Sequence, residues 1–163
     1  MNDQISTTLA AAADLSAIQR IIERTALLDP AMIPPMMAPW LDGDEAEAVW
    51  LTARAGNQTI GVIYARAEPV TNGCWNLLMM AIDPDCQGKS VGRQMMADLE
   101  ARLAQLAVRL LIVETSGTSG YAQARGFYAA CGFAAEARIA DFYDSGDDKV
   151  IFTKGLLPIA VSQ

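Results

Sequence analysis

Segment 75–106 constrains the fold more than any other, because its hydrophobic pattern changes along its length. Trp75–Ile82 reads WNLLMMAI, a continuous apolar run with the length of a buried strand. Farther along, apolar residues recur at helical spacing with polar residues between them: Val91, Met95, Leu99, Leu103 and Leu106. Residues 83–90 join the two patterns and are rich in turn-forming residues. The segment predicts a strand, a loop and a helix in that order, and with them a mixed α/β fold.

The loop at residues 83–90 has properties of an anion-binding site. The first turn of a helix carries backbone N–H groups without intrahelical partners, and the helix dipole places partial positive charge there. Phosphate groups bind at such termini, and Lys89 and Arg93 add charge to this one. The glycines alone fit equally well a turn that binds nothing, because short glycine motifs recur by chance.

One nucleotide-binding alternative fails at a single position. Gly88-Lys89-Ser90 matches the end of the P-loop pattern G-x-x-x-x-G-K-S, whose backbone amides cradle nucleotide phosphates. The first glycine of that pattern would fall at residue 83, which is Asp83. An ATPase is therefore a weak interpretation of this loop.

The composition limits the classes of partner. The chain has 163 residues, 52% of them hydrophobic, so one domain covering residues 1–163 is expected. Its 12 basic and 19 acidic residues give a formal charge of −7. Nucleic acid and anionic membranes are not expected as main partners, because binding them needs clustered Lys and Arg. The acidity weakly favours a substrate that carries an amine, although a solvated acidic surface explains most of these carboxylates more simply.

Residue types that are rare or missing exclude several chemistries. The chain contains no His, which removes Ser-His-Asp and Cys-His catalysis and argues against zinc, so no metal is expected. Three Cys without Cys-x-x-Cys spacing favour a reducing compartment over a disulfide framework. Near the N-terminus, charged residues interrupt the apolar pattern well before the length of a membrane span. We expect a cytoplasmic protein that does not bind membranes, and a homodimer is one option for its assembly.

The rest of the chain alternates between strand and helix patterns. The predicted elements are a strand at Ile5–Leu9, a helix at Asp14–Ala26, strands at Val49–Ala55 and Ile60–Ala67, a strand at Arg109–Val113, a helix at Tyr121–Ala130, and strands at Glu136–Tyr143 and Val150–Lys154. Residues 30–43 mix Pro with apolar Met, Ile and Trp, which predicts a short helix or an irregular lid. Such a segment suits a substrate wall, and a packed connection is the plain alternative.

Two segments resemble signatures of the GNAT superfamily of acyl-CoA-dependent N-acyltransferases. Gln87–Gly92 resembles the Q/R-x-x-G-x-G/A motif that binds the cofactor pyrophosphate in that family. Phe127–Phe133, with the sequence FYAACGF, resembles the F-Y-x-x-x-G-F segment that follows it downstream. The resemblance covers approximately residues 5–157. It implies a mixed, mostly antiparallel central sheet that is flanked by helices and splayed at strands 4 and 5.

The resemblance also implies an acyl-CoA cosubstrate, most often acetyl-CoA in this family. Its pyrophosphate would lie on the loop, and its pantetheine would pair with the backbone of the preceding strand. The cofactor-binding residues implied in this way are Met80, Ala81, Ile82, Gln87, Gly88, Lys89, Ser90, Val91, Gly92, Arg93 and Tyr121. The N–H of Met80 is the candidate donor to the thioester oxygen. Two positions depart from the family pattern: Ser90 replaces a usual glycine, and Tyr121 replaces an Asn that contacts the pantetheine in many members.

Tyr128 matches the tyrosine that serves the family as a general acid. A phenol with an ordinary pKa of about 10 is a suitable proton donor to a departing CoA thiolate, and simple packing on the helix is the alternative. Glu114 ends the apolar run LLIVE, where a strand is expected to open into the cleft, and is the candidate base acting through a water. Glu68 and Asp83 are alternative bases, and a solvated carboxylate without a role fits Glu114 equally well. No protein nucleophile is needed, so direct transfer in a ternary complex is the simpler mechanism.

The acceptor is expected to lie against the variable edges of the cleft, at Trp40, Phe142 and Tyr143. For the last two, ordinary hairpin packing is an equal alternative. The expected function is transfer of an acetyl group to a primary amine of a small molecule, peptide or protein. A non-catalytic acyl-CoA-binding module or sensor with the same fold is the alternative, which Ser90 and Tyr121 keep open and Tyr128 disfavours.

Overall fold

The computed structural model describes residues 4–156. Its strands are β1 Ile5–Leu9, β2 Ala48–Ala55, β3 Gln58–Ala67, β4 Cys74–Ile82, β5 Leu110–Ser116, β6 Ala134–Asp144 and β7 Asp147–Gly155. Its α-helices are α1 Leu15–Thr25, α2 Ile33–Leu41, α3 Val91–Gln105 and α4 Ala122–Ala130. Residues 1–3 and 157–163, which the expected domain includes, lie outside the described residues.

The strands form a sheet with the order β1-β2-β3-β4-β5-β7-β6. The pairs β1–β2, β2–β3, β5–β7 and β6–β7 are antiparallel, whereas β4 and β5 run parallel. The parallel register runs from Cys74↔Leu110 to Leu77↔Val113, although β4 continues to Ile82. The two strands therefore separate after Leu77, next to the exposed side chain of Leu78. The expected mixed, mostly antiparallel and splayed sheet with flanking helices is confirmed.

The chain divides into two compact units, which we describe separately. The first unit runs to Arg66 and includes Met79–Leu99, and the second comprises Ala67–Leu78 and the chain from Glu100 onward. In the first unit, α1 buries three isoleucines spaced at helical intervals, as its sequence predicts. They are Ile18, Ile21 and Ile22. Apolar residues of α2, β2, β3 and β4 join them in one core.

The proline-rich segment at residues 30–43 folds as a helix, which is one of its two expected forms. Asp29 caps a one-turn 3₁₀ helix by accepting a hydrogen bond from the Ala31 N–H at 2.9 Å. Pro34 and Pro35 occupy the start of α2, where a missing N–H costs little. Met37 is fully buried against the core of the first unit.

In the second unit, β5, β7 and β6 form an antiparallel group that α4 covers in part. The Tyr128 ring of α4 contacts Phe133 and Phe152, with centroid distances of 6.0 and 5.9 Å. Lys154 connects β7 to two helices. Its Nζ lies 2.5 Å from Glu100 of α3, and it donates a hydrogen bond to the Cys131 carbonyl at the end of α4.

Three sequence-based expectations about element ends are wrong. Strand β5 does not stop near Glu114, because Thr115 and Ser116 continue its pairing with β7. Leu106 does not belong to the buried face of α3: the helix ends at Gln105, the chain turns, and Leu106 is 57% exposed. Tyr121 does not begin α4 but lies in a one-turn 3₁₀ helix before it.

Candidate functional site

The loop that follows β4 is anchored at its first residue. The Asp83 N–H donates to the Ile60 carbonyl at 2.7 Å, and the Asp83 carboxylate accepts the N–H of Asp85 at 3.0 Å. The chain then makes one 3₁₀ turn at Pro84–Cys86. The position of the loop therefore depends on hydrogen bonds at its start, and its later residues remain exposed.

The amides at the other end of the loop are available to a ligand. Within residues 4–156, no protein oxygen accepts a hydrogen bond from the N–H groups of Gln87 to Arg93. The first hydrogen bond of α3 runs from the Gln94 N–H to the Ser90 carbonyl at 3.1 Å. The amides before it lie at the positive end of a 15-residue helix, where anions bind well. The structure therefore has the features that the sequence predicts for a phosphate-binding loop.

Two residues of the loop have left-handed backbone conformations. Gly88 has φ +74°, and Ser90 has φ +64°. Glycine adopts this region freely, whereas an L-residue with a side chain pays about 1–2 kcal/mol. Ser90, which departs from the resembled motif, thus keeps a conformation that glycine favours.

Arg24 of α1 clamps the start of the loop. Its Nη1 lies 2.5 Å from Asp83 Oδ1, and its Nη2 lies 3.0 Å from Asp85 Oδ2. The hydrogen bonds to Asp85 and Asp83 raise the pKa of the Arg24 guanidinium. Asp83 is 1% exposed, whereas the Arg24 side chain is 38% exposed, so a buried carboxylate is paired with a partly exposed guanidinium. This favours an anchoring role for Asp83 over its alternative role as a base.

Tyr128 lies on α4 in an aromatic environment. Its ring meets Phe127 edge-on at a centroid distance of 5.7 Å, in addition to the rings of Phe133 and Phe152. Burial raises the pKa of the Tyr128 phenol to about 12. The hydroxyl therefore keeps its proton at neutral pH, as a general acid must before it donates.

Glu114 on β5 forms an ion pair with Lys149 on β7, with 3.2 Å between Glu114 Oε2 and Lys149 Nζ. The same ammonium lies 3.8 Å from the centroid of the Phe142 ring, which is a cation–π distance. Glu114 is thus a partly covered carboxylate with a defined partner and not a freely solvated strand end.

Tyr143 and Tyr121 belong to the same group of residues. Tyr143 meets Phe142 edge-on at 5.0 Å. Burial raises the pKa of the Tyr143 phenol, and the negative charge of Glu114 raises it further, with smaller effects of Asp147 and Tyr121. Both tyrosines remain exposed, Tyr143 to 47% and Tyr121 to 44%. The second unit therefore brings Glu114 together with three aromatic side chains named from the sequence.

The remaining candidates have separate local partners. Glu68 accepts a hydrogen bond from the Asn76 side chain at 2.8 Å in the second unit. In the first unit, the Trp40 indole N–H donates to the Ala10 carbonyl at 2.9 Å, and its ring packs against the core. Met80 is half-buried in β4.

Sequence reasoning missed Lys149 and Arg24. Lys149 stands two residues before Ile151, the pairing partner of Glu114, and so shares a sheet face with the glutamate. A register for the pairing of β5 with β7 would have revealed this diagonal pair. Arg24 had no comparable signal, because its partners lie far along the sequence and depend on the packing of α1.

The structure shows neither a metal cluster nor a membrane helix in the part that it describes. Among residues 4–156, no three His, Cys, Asp or Glu side chains are grouped to hold an ion. Over the same range, no helix has the length and apolarity needed to cross a membrane.

Comparison with solved structures finds similar folds. A protein assigned to the GNAT acetyltransferases from Desulfovibrio desulfuricans is 26% identical and has a TM-score of 0.89, covering 94% of this chain and 100% of its own. The ribosomal-protein-S18-alanine N-acetyltransferase of Escherichia coli is 18% identical, with a TM-score of 0.78 and coverage of 98% and 99%. An acetyltransferase from Salmonella typhimurium, solved with acetyl-CoA, is 15% identical, with a TM-score of 0.75 and 98% coverage of both chains.

The comparison with family models agrees with the comparison with solved structures. The model of the acetyltransferase (GNAT) family matches residues 14–133, a range that contains both the loop and the whole FYAACGF segment. A search of curated proteins found no match. Because the family model extends over more than half of the chain, the chain belongs to the GNAT family of acetyltransferases.

Proposed function

We propose that the chain transfers an acetyl group from acetyl-CoA to a primary amine. The observation that carries the proposal is the row of unpaired amides from Gln87 to Arg93 at the start of α3, where Lys89 and Arg93 add positive charge. A CoA pyrophosphate has the charge and the acceptor oxygens that such a row binds. Family membership and the relative solved with acetyl-CoA support the same cosubstrate.

Most of the proposed cofactor contacts are made by backbone groups. Amides from Gln87 to Gly92 bind the pyrophosphate, and Arg93 adds an exposed charge. The pantetheine arm pairs with Met80–Ile82, the part of β4 beyond its pairing with β5. Tyr121, an exposed side chain, is the proposed pantetheine contact in place of an asparagine.

The proposed reaction is direct attack within a ternary complex. The neutral amine nitrogen attacks the thioester carbonyl carbon, and the Met80 N–H stabilises the negative oxygen, a contribution of roughly 3–4 kcal/mol for a well-placed donor. The C–S bond then breaks, and Tyr128 donates its proton to the thiolate. Glu114 removes the proton that the amine nitrogen loses, through a water. The products are an amide and CoA with a free thiol.

The acceptor is the less defined part of the proposal. Proteins of similar fold differ in the acceptor that their names give. One is named for an alanine of ribosomal protein S18, and another is named for an aminoglycoside. For this chain, we propose that the exposed rings of Phe142 and Tyr143 contact the acceptor, and that Trp40 contributes from its anchored position. A cytoplasmic setting, in which acetyl-CoA is present, completes the proposal.

A thiol-release assay with acetyl-CoA and a panel of amines tests the function. We expect amine-dependent release of CoA thiol, with the matching acetylated amine detected by mass spectrometry. Acetyl-CoA binding without turnover on any amine would instead support the alternative, a non-catalytic acyl-CoA-binding module. Absence of both binding and turnover would contradict either function.

A further inference from the structure

Strand β6 bulges next to the aromatic residues that we propose contact the acceptor. Ile139 pairs with Lys149 of β7, whereas the next β6 residue with a partner on β7 is Asp144. Residues 140–143 therefore lie opposite a single residue of β7, Asp148. All of these residues belong to the second unit. A bulge of this kind redirects side chains that an unbroken strand would place by strict alternation.

The bulge turns the Phe142 ring to the face of the sheet that carries Lys149. Paired residues on antiparallel strands share a face, so the side chains of Ile139 and Lys149 lie on the same side. In an unbroken strand Phe142, three residues after Ile139, would lie on the opposite side. The centroid of the Phe142 ring nevertheless lies 3.8 Å from Lys149 Nζ. Tyr143 meets Phe142 edge-on at 5.0 Å, so two consecutive residues place their rings together beside the ion pair of Lys149 with Glu114.

Asp141 has the backbone conformation that bends the strand at the bulge. Its φ is +54°, in the left-handed region that most L-residues avoid and that Asp and Asn tolerate. Its Oδ1 accepts a hydrogen bond from the Gly146 N–H at 2.7 Å, and its own N–H donates to Asp148 Oδ1 at 3.0 Å. These bonds connect the bulge to the turn and to β7. The left-handed conformation is therefore held by both the side chain and the backbone of Asp141.

Asp148, the partner of the bulge on β7, is itself fixed by its neighbours. Arg138 Nη1 donates to Asp148 Oδ2 at 2.7 Å, and the Asp148 carbonyl accepts the Gly117 N–H at 2.8 Å. The hydrogen bond from the Asp141 N–H, followed by that from Arg138, lowers the pKa of the Asp148 carboxyl, which remains an ionised acceptor at neutral pH. Gly117 also leaves room for Arg138, because a Cβ there would lie 2.8 Å from Arg138 Nη1. The bulge is thus connected to the end of β5 as well as to β7.

We propose that Asp141 is a positioning residue that sets acceptor selectivity, because it places Phe142 and Tyr143 on one face beside Glu114. The inference rests on the proposed function. A two-residue turn closes this hairpin without any need of a bulge, so the bulge has a reason other than chain reversal. The two rings are also open to a ligand, since Phe142 is 50% exposed and Tyr143 is 47% exposed. Asp141 acts through these rings and takes no part in the proton transfers.

Proton NMR tests the positioning without any ligand. The Lys149 ammonium lies over the Phe142 ring, so the signal of its ε-CH2 group should be shifted upfield in wild type. Asp141→Ala removes the acceptor of the Gly146 N–H and disfavours the left-handed conformation, so the upfield shift should be lost. Asp141→Asn keeps an acceptor oxygen and tolerates this conformation, so the shift should be kept. Asp144→Ala is the matched control, because it removes the same charge from a residue that pairs with β7 outside the bulge.

Lys154 provides an internal reference in the same spectra. Its Nζ lies 5.8 Å from the centroid of the Phe133 ring, a contact that does not include the bulge. Its signal should stay unchanged in every variant, which checks that the second unit remains folded. Lys149→Gln assigns the reporter signal by its absence. If Asp141→Ala does not fold, Asp141→Gly replaces it, because it removes the same acceptor oxygen, and it should lose part of the upfield shift.

Steady-state kinetics tests the consequence for the acceptor, with tyramine, 1,4-diaminobutane, lysinamide and alaninamide as the amines. Asp141→Ala should raise the acceptor KM about fivefold or more while kcat and the affinity for acetyl-CoA change less than about twofold, the pattern of lost acceptor binding. Asp141→Asn and Asp144→Ala should both behave like wild type. A fall in kcat and acetyl-CoA affinity as large as the rise in KM would indicate a general loss of structure and overturn the inference. An unchanged Lys149 signal in folded Asp141→Ala would overturn it as well.

The same proteins separate this inference from the function. Thiol release from acetyl-CoA by wild type, together with a wild-type acceptor KM in Asp141→Ala, would refute the positioning role and leave the transferase intact. Loss of the Lys149 shift in Asp141→Ala, without thiol release by wild type on any amine, would contradict the transferase. The acceptor role of Asp141 would fall with it, and only the placement of the rings would stand.

Discussion

The Lys149 ammonium of β7 lies 3.2 Å from the Glu114 carboxylate of the neighbouring strand β5. The pair is partly covered, since the side chain of Lys149 is 12% exposed and that of Glu114 is 31% exposed. A carboxylate in this setting has a fixed position from which it can direct a water. The Lys149 ammonium also offsets part of the negative charge of Glu114.

Glu114→Gln should lower the rate chiefly at pH values below the pKa of the amine acceptor, where proton removal limits the reaction most. A pH–rate profile of kcat/KM measures this. Lys149→Gln is the informative comparison, because it removes the ion pair and keeps the carboxylate, so it should retain more of the rate in that range. If the profile of Glu114→Gln overlays that of wild type, the base is Glu68, Asp83, solvent or nothing.

Tyr128→Phe should lower kcat at least tenfold while acetyl-CoA affinity changes little, the pattern of an interaction used mainly in the transition state. The substitution keeps the ring contacts with Phe133 and Phe152 and removes only the proton donor. Steady-state kinetics with an identified acceptor give the rate, and calorimetry gives the affinity. Turnover at the wild-type rate would remove Tyr128 from the mechanism.

The raised pKa of Tyr128 predicts an alkaline loss of stability. The folded-state pKa is about 12, above the ordinary 10.0, so the folded protein holds this proton more tightly than the unfolded chain does. The resulting contribution is fully present below pH 10 and is lost as the pH rises toward 12. Denaturant unfolding between these pH values should show a shallower decline for Tyr128→Phe than for wild type. Parallel declines would argue against the buried phenol.

Substitution of the residues that we propose contact the acceptor should change the selectivity for amines without changing the affinity for acetyl-CoA. Tyr143→Ala should raise the acceptor KM or reorder a panel of amines, because its exposed ring is removed beside Phe142. Trp40→Ala should do the same and should also lower thermal stability, since the indole bonds to Ala10. If both folded variants keep the ranking of the panel, the acceptor site lies elsewhere.

The sequence predicts the fold well where one periodicity dominates a long segment. The buried face of α1 and the change from β4 to α3 both follow from apolar spacing, and the splay of the sheet follows from the family resemblance. Element ends are less predictable, because Thr115 and Ser116 extend β5 through pairing that their polarity does not suggest.

The candidate site likewise has parts that can be predicted from local sequence and parts that cannot. The loop after β4, which we propose binds the pyrophosphate, is a local feature, so its sequence nearly suffices to describe it. Partnerships such as Glu114 with Lys149 and Arg24 with Asp83 join distant parts of the chain. They depend on strand register and helix packing, neither of which a single local pattern contains.

The proposed pyrophosphate-binding loop is the most direct target for a test, and Gly92 in the first turn of α3 is its most informative residue. In Gly92→Val, a branched side chain stands beside the amides that the pyrophosphate should approach. Ser90→Gly is the matched control, because it relaxes a residue with φ +64° and should bind acetyl-CoA at least as tightly as wild type.

Calorimetric titration of acetyl-CoA into wild type, Gly92→Val and Ser90→Gly is the measurement that tests the account most directly. Circular dichroism confirms that each protein is folded. We predict at least tenfold weaker binding to Gly92→Val, about 1.4 kcal/mol or more, and no loss for Ser90→Gly. Equal affinity of wild type and folded Gly92→Val for acetyl-CoA would contradict the assignment of this loop to the pyrophosphate.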